Sequence, residues 1–495
     1  MKKKAKIAVL STAGALLAGN AVHAALYRPK KVKSPVLPDE KVNLDRYIET
    51  LCSAIRCKTV SNTDESLVEW KEFDKLHRLF EETYPMLHKT LEKRIIGKAG
   101  IIYVWKGSDP SLKPIALIAH QDVVPVSKDT VSDWTYPPFE GKLAQGYIWG
   151  RGSTDMKNHL VGILESVETL LEDGFVPKRT VLICLGYNEE VTNSEASSAP
   201  MISKALEEEG IQLESLLDEG GAILDLNVPH AIKHKLVGGV GVAEKGYADF
   251  EISLEAKGGH SSTPPKHSAV GELSKAIVDL EKHQFRSHIT KEVKSIVDTA
   301  ARTTTFPVRL IGCNIKPLLP VLKPILTQIA PVASVLRTTT AVTMTHGSPQ
   351  ANVLPQKAAA TVNFRIMPGD TIYDVEKHIR RVIRNKKINV RLLGGNEPSA
   401  ISPTNTPTME AISQVCCGIY DMSAPTPFIV MGATDAFHYQ NLTEQIYRFS
   451  PFVMPPEILM LAHGTDERIA VDSLEKAIVF FKRYIRMMAG EKNEG

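Results

Sequence analysis

Cysteine is scarce in this chain, six in 495 residues, and none of the six stands in the paired spacing of a thiolate metal site. A Cys52–Cys57 bridge is open to an oxidising compartment, and Cys184, in an apolar strand-like run, is expected to be buried. Charge of one sign is also lacking: the formal net charge is +3, and the excess is local. Lys2, Lys3, Lys4, Lys6, Arg28, Lys30, Lys31 and Lys33 fall at the start with no acid among them. Without the first 24 residues the formal charge is about −1, so the body gives no electrostatic reason to bind nucleic acid. Internal repeats and low-complexity tracts are absent, and long apolar runs are missing save one.

That run, Ile7 to Tyr27, carries no formal charge and follows four lysines. With Val22-His23-Ala24 as a small-residue cleavage site it reads as a secretory signal. Its length equally suits an N-terminal membrane anchor, although Ser11, Thr12, Asn20 and several Gly and Ala weaken it as a span. Residues 1–27 are therefore signal peptide or anchor, and both readings put the body outside the cytoplasm. The basic, Pro-rich residues 28–43 suit a linker.

The remaining length is too great for one ordinary core. From Leu44 to Leu91 the pattern is helical, with Trp70, Phe73, Leu76 and Phe80 at three- and four-residue spacing. Strands at Ile101–Trp105, Ile115–Ala119, Val181–Gly186 and Leu216–Asp218 then alternate with helices at Asn158–Leu171 and Met201–Glu209. That alternation predicts an α/β sheet covered on both faces. After Gly246 the order becomes β-α-β-β-α-β, with strands near Ala248–Ala256, Thr338–Thr345, Ala358–Ile366 and Asn389–Leu393 and helices near Ala269–Glu281 and Tyr373–Arg384. The expected architecture is an α/β catalytic domain, 44–245 and 396–490, interrupted by a ferredoxin-like α+β lid at 246–395. Within the lid, the apolar, Pro-punctuated stretch Phe306–Val335 reads as a helical insertion before it reads as a surface patch.

Potential metal ligands sit where strands end, which is where open α/β sheets build their sites. His120 and Asp122 follow the strand at 115–119, Asp155 follows a Gly-Arg-Gly turn, and Glu189-Glu190 follow the strand at 181–186. Asp218 ends a short strand, and His463 lies near the C-terminus. Singly each has a commoner structural explanation, such as an N-cap for Asp155. Jointly, two histidines and three carboxylates make the mixed N/O set that zinc accepts.

Several ordered stretches resemble the M20 metallopeptidases, above all the carboxypeptidase S and N-acyl-amino-acid hydrolase branch. They are Ala119-His120-Gln121-Asp122-Val123-Val124-Pro125, Trp134-Thr135-Tyr136-Pro137-Pro138-Phe139, Trp149-Gly150-Arg151-Gly152-Ser153-Thr154-Asp155 and Leu217-Asp218-Glu219-Gly220-Gly221. Gly259-His260-Ser261-Ser262-Thr263-Pro264-Pro265, Gly432-Ala433-Thr434-Asp435 and Ala462-His463-Gly464 complete the set. The resemblance implies a zinc-peptidase-type mixed sheet flanked by helices and two zinc ions per chain; whether cobalt or manganese takes their place stays open. It implies that His120, Asp155 and Asp218 hold one ion, that Asp155, Glu190 and His463 hold the other, and that Glu189 is the general base. Asp122 would fix the His120 ring from behind. A cis peptide is implied at Asp155-Met156. From the lid, His260 would stabilise the oxyanion, delivered by domain closure or by a second subunit of a homodimer. Asn352, Arg365 and Gly432 would bind substrate, Arg365 suiting a carboxylate through its two-pronged guanidinium.

The chain departs from the family pattern at Asn188, Met156, Val191-Thr192-Asn193-Ser194, Ala433 and Phe437, none of which removes a ligand or the base. The expected activity is hydrolysis of a small peptide or N-acyl amino acid at the amide beside a free carboxylate. A dipeptidase or aminopeptidase, a metal-poor binding protein that keeps the fold, and the reverse condensation of fatty and amino acids stand as alternatives.

Overall fold

The computed structural model describes residues 18–28, 32, 39–191, 197–313, 323–324 and 327–490. The lysine-rich opening, the first half of the apolar run, most of the 28–43 linker, residues 192–194 of the altered loop and the centre of the 306–335 stretch lie outside the described residues. No helix among those described is long and apolar enough to cross a membrane.

The chain begins its folded body with helix α1 (Leu44–Arg56), followed by two further helices, Trp70–Thr83 and Pro85–Thr90. The strands then enter a ten-stranded mixed sheet. At its centre lie β3 (Ile115–His120), β6 (Val181–Gly186) and β7 (Ser215–Asp218), mutually parallel and buried throughout. A central parallel strand is covered on both faces, which is why these segments read as unbroken apolar runs rather than alternating ones. Two antiparallel strands, β1 (Glu92–Ile96) and β2 (Gly100–Trp105), extend one side of the sheet. Helix α2 (Lys157–Glu172) packs on one face with α1 and the last helix, Leu474–Ala489. The opposite face is covered by α3 (Ser198–Glu208), whose Ile202 and Leu206 meet Ile102, Ala116 and Ile118.

The sequence periodicity did not foretell the other half of the sheet. Here β8 (Ala222–Val228) pairs with β9 (Ile232–Glu244), and β16 (Thr426–Val430) lies parallel to β9. Gly238, Gly239 and Gly241 interrupt the apolar pattern of β9, because side chains there would run into Met422, the Phe428 ring and Val430. Close approach, not flexibility, requires these glycines.

The lid is the four-stranded antiparallel sheet β12-β14-β10-β15, with β10 at Gly246–Glu255, β12 at Thr339–His346, β14 at Lys357–Ile366 and β15 at Asn389–Asn396. Helices α4 (Ala269–Lys282) and α6 (Ile372–Ile383) cover one face, burying Phe250, Leu273, Phe364, Val375 and Ile379 in a core of their own. A capping box at Thr371 and Asp374 starts α6. The 306–335 insertion is helical where it is described, at Phe306–Gly312 and Ala330–Leu336. Before it stands α5 (Lys291–Thr303), which packs on β16 of the catalytic domain rather than on the lid sheet.

Cys184 is buried, as expected, and Cys52 and Cys57 are both free thiols. Cys52 lies within α1 and Cys57 directly after it; five residues of helix turn two side chains to different sides, and the Cys57 thiol donates to the Ser53 carbonyl at 3.5 Å.

Gly221 tests the packing at the sheet's junction with the site. A Cβ there would run into the carbonyl oxygens of Gly239 and Arg448, which are backbone and cannot rotate away. Gly221→Ala should cost ~1–3 kcal/mol and lower the thermal midpoint. Gly394→Ala, with open space around it, should stay within about 0.5 kcal/mol of the parent.

Candidate metal centre

Because β3, β6 and β7 run parallel, their C-terminal ends open at one edge of the sheet. His120 is the last residue of β3, Glu189 and Glu190 follow β6, and Glu219 follows β7. Asp155 arrives from the loop before α2, across a cis Asp155–Met156 peptide, and His463 from the loop before the strand Arg468–Ala470.

These six side chains converge. His120 Nε2 lies 3.2 Å from Asp155 Oδ1 and 3.2 Å from Glu219 Oε1. His463 Nε2 lies 3.1 Å from Asp155 Oδ2 and 3.0 Å from Glu190 Oε1. Asp155 thus offers one oxygen to each imidazole. The ligand atoms of His120, Asp155 and Glu190 lie within 4.8 Å of one another, and so do those of His120, Glu189 and Glu219. His120 is held from behind by Asp122, whose carbonyl lies 3.0 Å from Nδ1 and whose carboxylate lies at 3.4 Å. The same carboxylate accepts the backbone N–H groups of Glu189 and Glu190, both at 3.2 Å, so Asp122 orients the histidine and the glutamate pair together.

Asp218 is not among the gathered oxygens. Successive residues at a strand end point to opposite faces, and the Asp218 carboxylate turns away to accept the Ala436 N–H at 3.0 Å. Its neighbour Glu219 faces His120 instead. Sequence reading put Asp218 in the donor set and did not single out Glu219, which this structure brings beside His120. It also missed Arg151 and Glu467, a fully buried pair 2.5 Å apart. Glu467 accepts from the backbone N–H of Thr154 at 2.9 Å and of Asp155 at 3.3 Å, while Arg151 donates to the His463 carbonyl at 3.0 Å. The pair ties the two loops that carry Asp155 and His463. Arg151 in the Gly-Arg-Gly turn was the one available signal.

Charge inside the cleft is crowded. Burial, then repulsion from Asp155, pushes the Glu219 carboxyl up to about 8. Burial dominates at Glu189 and Glu190 as well, raising both, with neighbouring carboxylates adding to it. Burial opposes the charge of Asp155 too, but hydrogen bonds from His120 and His463 hold it below the usual carboxylate range. The hydrogen bonds to Asp155 and Glu190 push His463 up to about 10. Among the described residues no lysine or arginine pairs with these four carboxylates. Buried acids at such density require positive charge. Two imidazoles and four carboxylates are an N/O donor set that fits zinc.

Four further expected residues stand apart from this cluster. His260, on the two-residue strand β11 (Gly259–His260), is exposed and hydrogen-bonds Ser262 at 2.8 Å. Asn352 is beside it, its carbonyl accepting the Ser261 N–H at 3.0 Å. Arg365, on β14, lies over the Tyr247 ring at 5.0 Å, and Gly432 is exposed. None of the four hydrogen-bonds the cluster. Arg365 has a cationic neighbour the sequence did not suggest: burial, then repulsion from Arg365, lowers Lys245 to about 8.

Asp155 and Glu219 also border a cavity of about 490 Å³. Away from those acids its walls are largely apolar, including Leu224, Leu226, Val237, Phe428, Met454 and Leu459.

The model of peptidase family M20/M25/M40 matches residues 116–487. The chain belongs to peptidase family M20. It is 32% identical over 486 residues to carboxypeptidase S of Saccharomyces cerevisiae, covering 88% of this chain and 83% of that one. It is 31% identical over 493 residues to the N-fatty-acyl-amino acid synthase/hydrolase PM20D1 of Bos taurus, covering 97% and 96%. Its fold matches that of an M20 family metallo-carboxypeptidase from Sulfolobus solfataricus with a TM-score of 0.63 at 17% identity, over 89% of this chain and 98% of that one. This M20 protein is a metallopeptidase or amidohydrolase, and its fold is the zinc-peptidase-type mixed sheet with an α+β lid.

The Asp218–Glu219 geometry separates the two residues experimentally. Glu219→Gln should weaken metal retention by roughly 10-fold or more, measured as zinc per chain after dialysis against a chelator. Asp218→Asn should retain zinc better than Glu219→Gln; the opposite order would return the ligand role to Asp218.

Proposed function

We propose that this chain is a two-zinc hydrolase of N-acyl amino acids or peptides, cutting the amide beside a free carboxylate, with an apolar group on the acyl side. His120, Asp155 and Glu219 would hold one ion, and Asp155, Glu190 and His463 the other. When bound, the zinc ions supply Lewis-acid polarisation of the substrate carbonyl and of the attacking water.

The chain's own residues do the rest. Glu189 is the general base: it takes one proton from the attacking water and returns it to the departing amide nitrogen as the C–N bond breaks. Burial among other acids raises its pKa above the ordinary glutamate range, which suits a group that must both accept and give a proton near neutrality. Asp122 keeps His120 and the Glu189–Glu190 backbone in register. Arg365, half-buried on β14 of the lid, would receive the substrate carboxylate through its two-pronged guanidinium. His260, exposed on the lid, is the oxyanion donor once lid closure or a second copy of the chain delivers it.

The observation that carries the reading is the joining of the six-residue cluster to the apolar cavity. A dipeptidase must seat a free ammonium group beside the scissile bond, and the cavity offers no acid for it outside the cluster. An acyl chain asks for what the walls provide. The printed names of the relatives, carboxypeptidase S and N-fatty-acyl-amino acid synthase/hydrolase, fit the same chemistry. The basic start and apolar run of the first 27 residues support action outside the cytoplasm.

Glu189→Gln tests the assignment. The variant should fold, retain zinc and lose hydrolysis of N-acyl amino acids by ~10²–10⁴-fold. Retained turnover would refute the base, and absence of zinc from the parent protein would favour a binding protein.

A further inference from the structure

The cavity beside the cluster ends against one helix. Ile296, Thr299, Ala300 and Thr303 of α5 line it, and their spacing of three and four residues puts them on a single helix face. Ile296 and Ala300 count as exposed although they sit on an inward-facing wall, because they look into open space. Behind the helix lies a second apolar cavity, of about 660 Å³, lined by Val293, Ile296 and Val297 of the same helix. Ile296 is the α5 side chain common to both spaces.

This wall is fixed to the catalytic domain. Thr290 caps the start of α5, the Thr299 and Thr426 hydroxyls hydrogen-bond at 2.7 Å, and Thr305 just beyond its end bonds the carbonyls of His230 and Ala231 at 2.9 and 2.8 Å. Although α5 belongs in sequence to the segment between the lid's strands, it packs on β16 and is tied to the turn between β8 and β9. These contacts attach the wall to the same sheet that carries Glu219.

We propose that α5 sets the length of the acyl chain, with Ala300 and Thr303 leaving room for it and Ile296 closing the passage to the second cavity. The inference rests on the acyl-amidase reading above. It makes side-chain volume at three positions of one helix the determinant of chain-length preference, independent of the residues that perform hydrolysis.

The test compares zinc-loaded parent, Ala300→Phe, Thr303→Leu and Ile296→Ala on N-acetyl-, N-octanoyl- and N-palmitoyl-phenylalanine. In parallel, palmitate and octanoate binding to the metal-free proteins is measured by calorimetry. Ala300→Phe and Thr303→Leu should each lower the palmitoyl-to-acetyl ratio of kcat/KM, Ala300→Phe by roughly tenfold or more, and Ile296→Ala should raise it. Palmitate binding to the metal-free variants should move in the same order, octanoate binding much less. Folded variants whose ratios and palmitate affinities equal the parent's would overturn the proposal. If the parent cleaves none of the three substrates, the acyl-amidase reading fails. The α5 assignment is then decided by palmitate binding alone: no binding by the parent, or equal binding by Ala300→Phe, overturns it.

Discussion

Four carboxylates and two imidazoles share one cleft, and the electrostatic cost of holding them there is the constraint the fold is arranged around. At an effective dielectric constant near 20, two like charges 4 Å apart repel by about 4 kcal/mol, and Asp155, Glu189, Glu190 and Glu219 are crowded on that scale. The chain meets the cost with rigidity. Three parallel buried strands deliver His120, the Glu189–Glu190 pair and Glu219 to one edge of the sheet. The buried Arg151–Glu467 pair then ties in the two remaining loops through their backbone groups. Asp122 joins the β3 and β6 ends by accepting two backbone N–H groups beside the His120 ring. A metal centre asks for such groups close together, and the backbone around them is held by Asp122, Arg151 and Glu467 from outside the cluster.

The same edge of the sheet explains why an apolar cavity adjoins so polar a centre. Strands β8 and β9 continue the sheet past β7 and β17 (Ile446–Arg448), and their glycines let β16 and the β8 hairpin pack closely, leaving apolar side chains as a wall. Helix α5 closes the far end. Under the proposed function the tasks would be separated in space: charge at the strand ends, acyl recognition along the apolar cavity wall, and carboxylate recognition at Arg365 on the lid.

Much of this was legible in the sequence, and the misses share a cause. His120, Asp155 and Glu190 could be named because each ends or follows an apolar strand or turn whose pattern survives in one dimension, and His463 through the resemblance carried by Ala462-His463-Gly464. That Glu219 as well as Asp218 borders the site was not legible, since which of two adjacent acids faces a cleft depends on the direction the strand presents at its last residue. Arg151 and Glu467 escaped because they lie 316 positions apart and act on backbone groups of each other's loop, a relation that no local spacing records. The glycines of β9 hid a 13-residue strand, because close packing against Phe428 and Val430 removed the side chains that would have shown alternation. Helix α5 was not foreseen between the helix near Ala269–Glu281 and the 306–335 stretch, and its packing partner, β16, lies more than a hundred residues away.

X-ray absorption at the zinc edge of the metal-loaded protein is the most direct test of the central claim. Two ions sharing the Asp155 carboxylate should give a metal–metal scattering path at roughly 3.5–4 Å, with nitrogen and oxygen neighbours and no sulfur. A spectrum without that path, at a stoichiometry of one zinc per chain, would contradict the account.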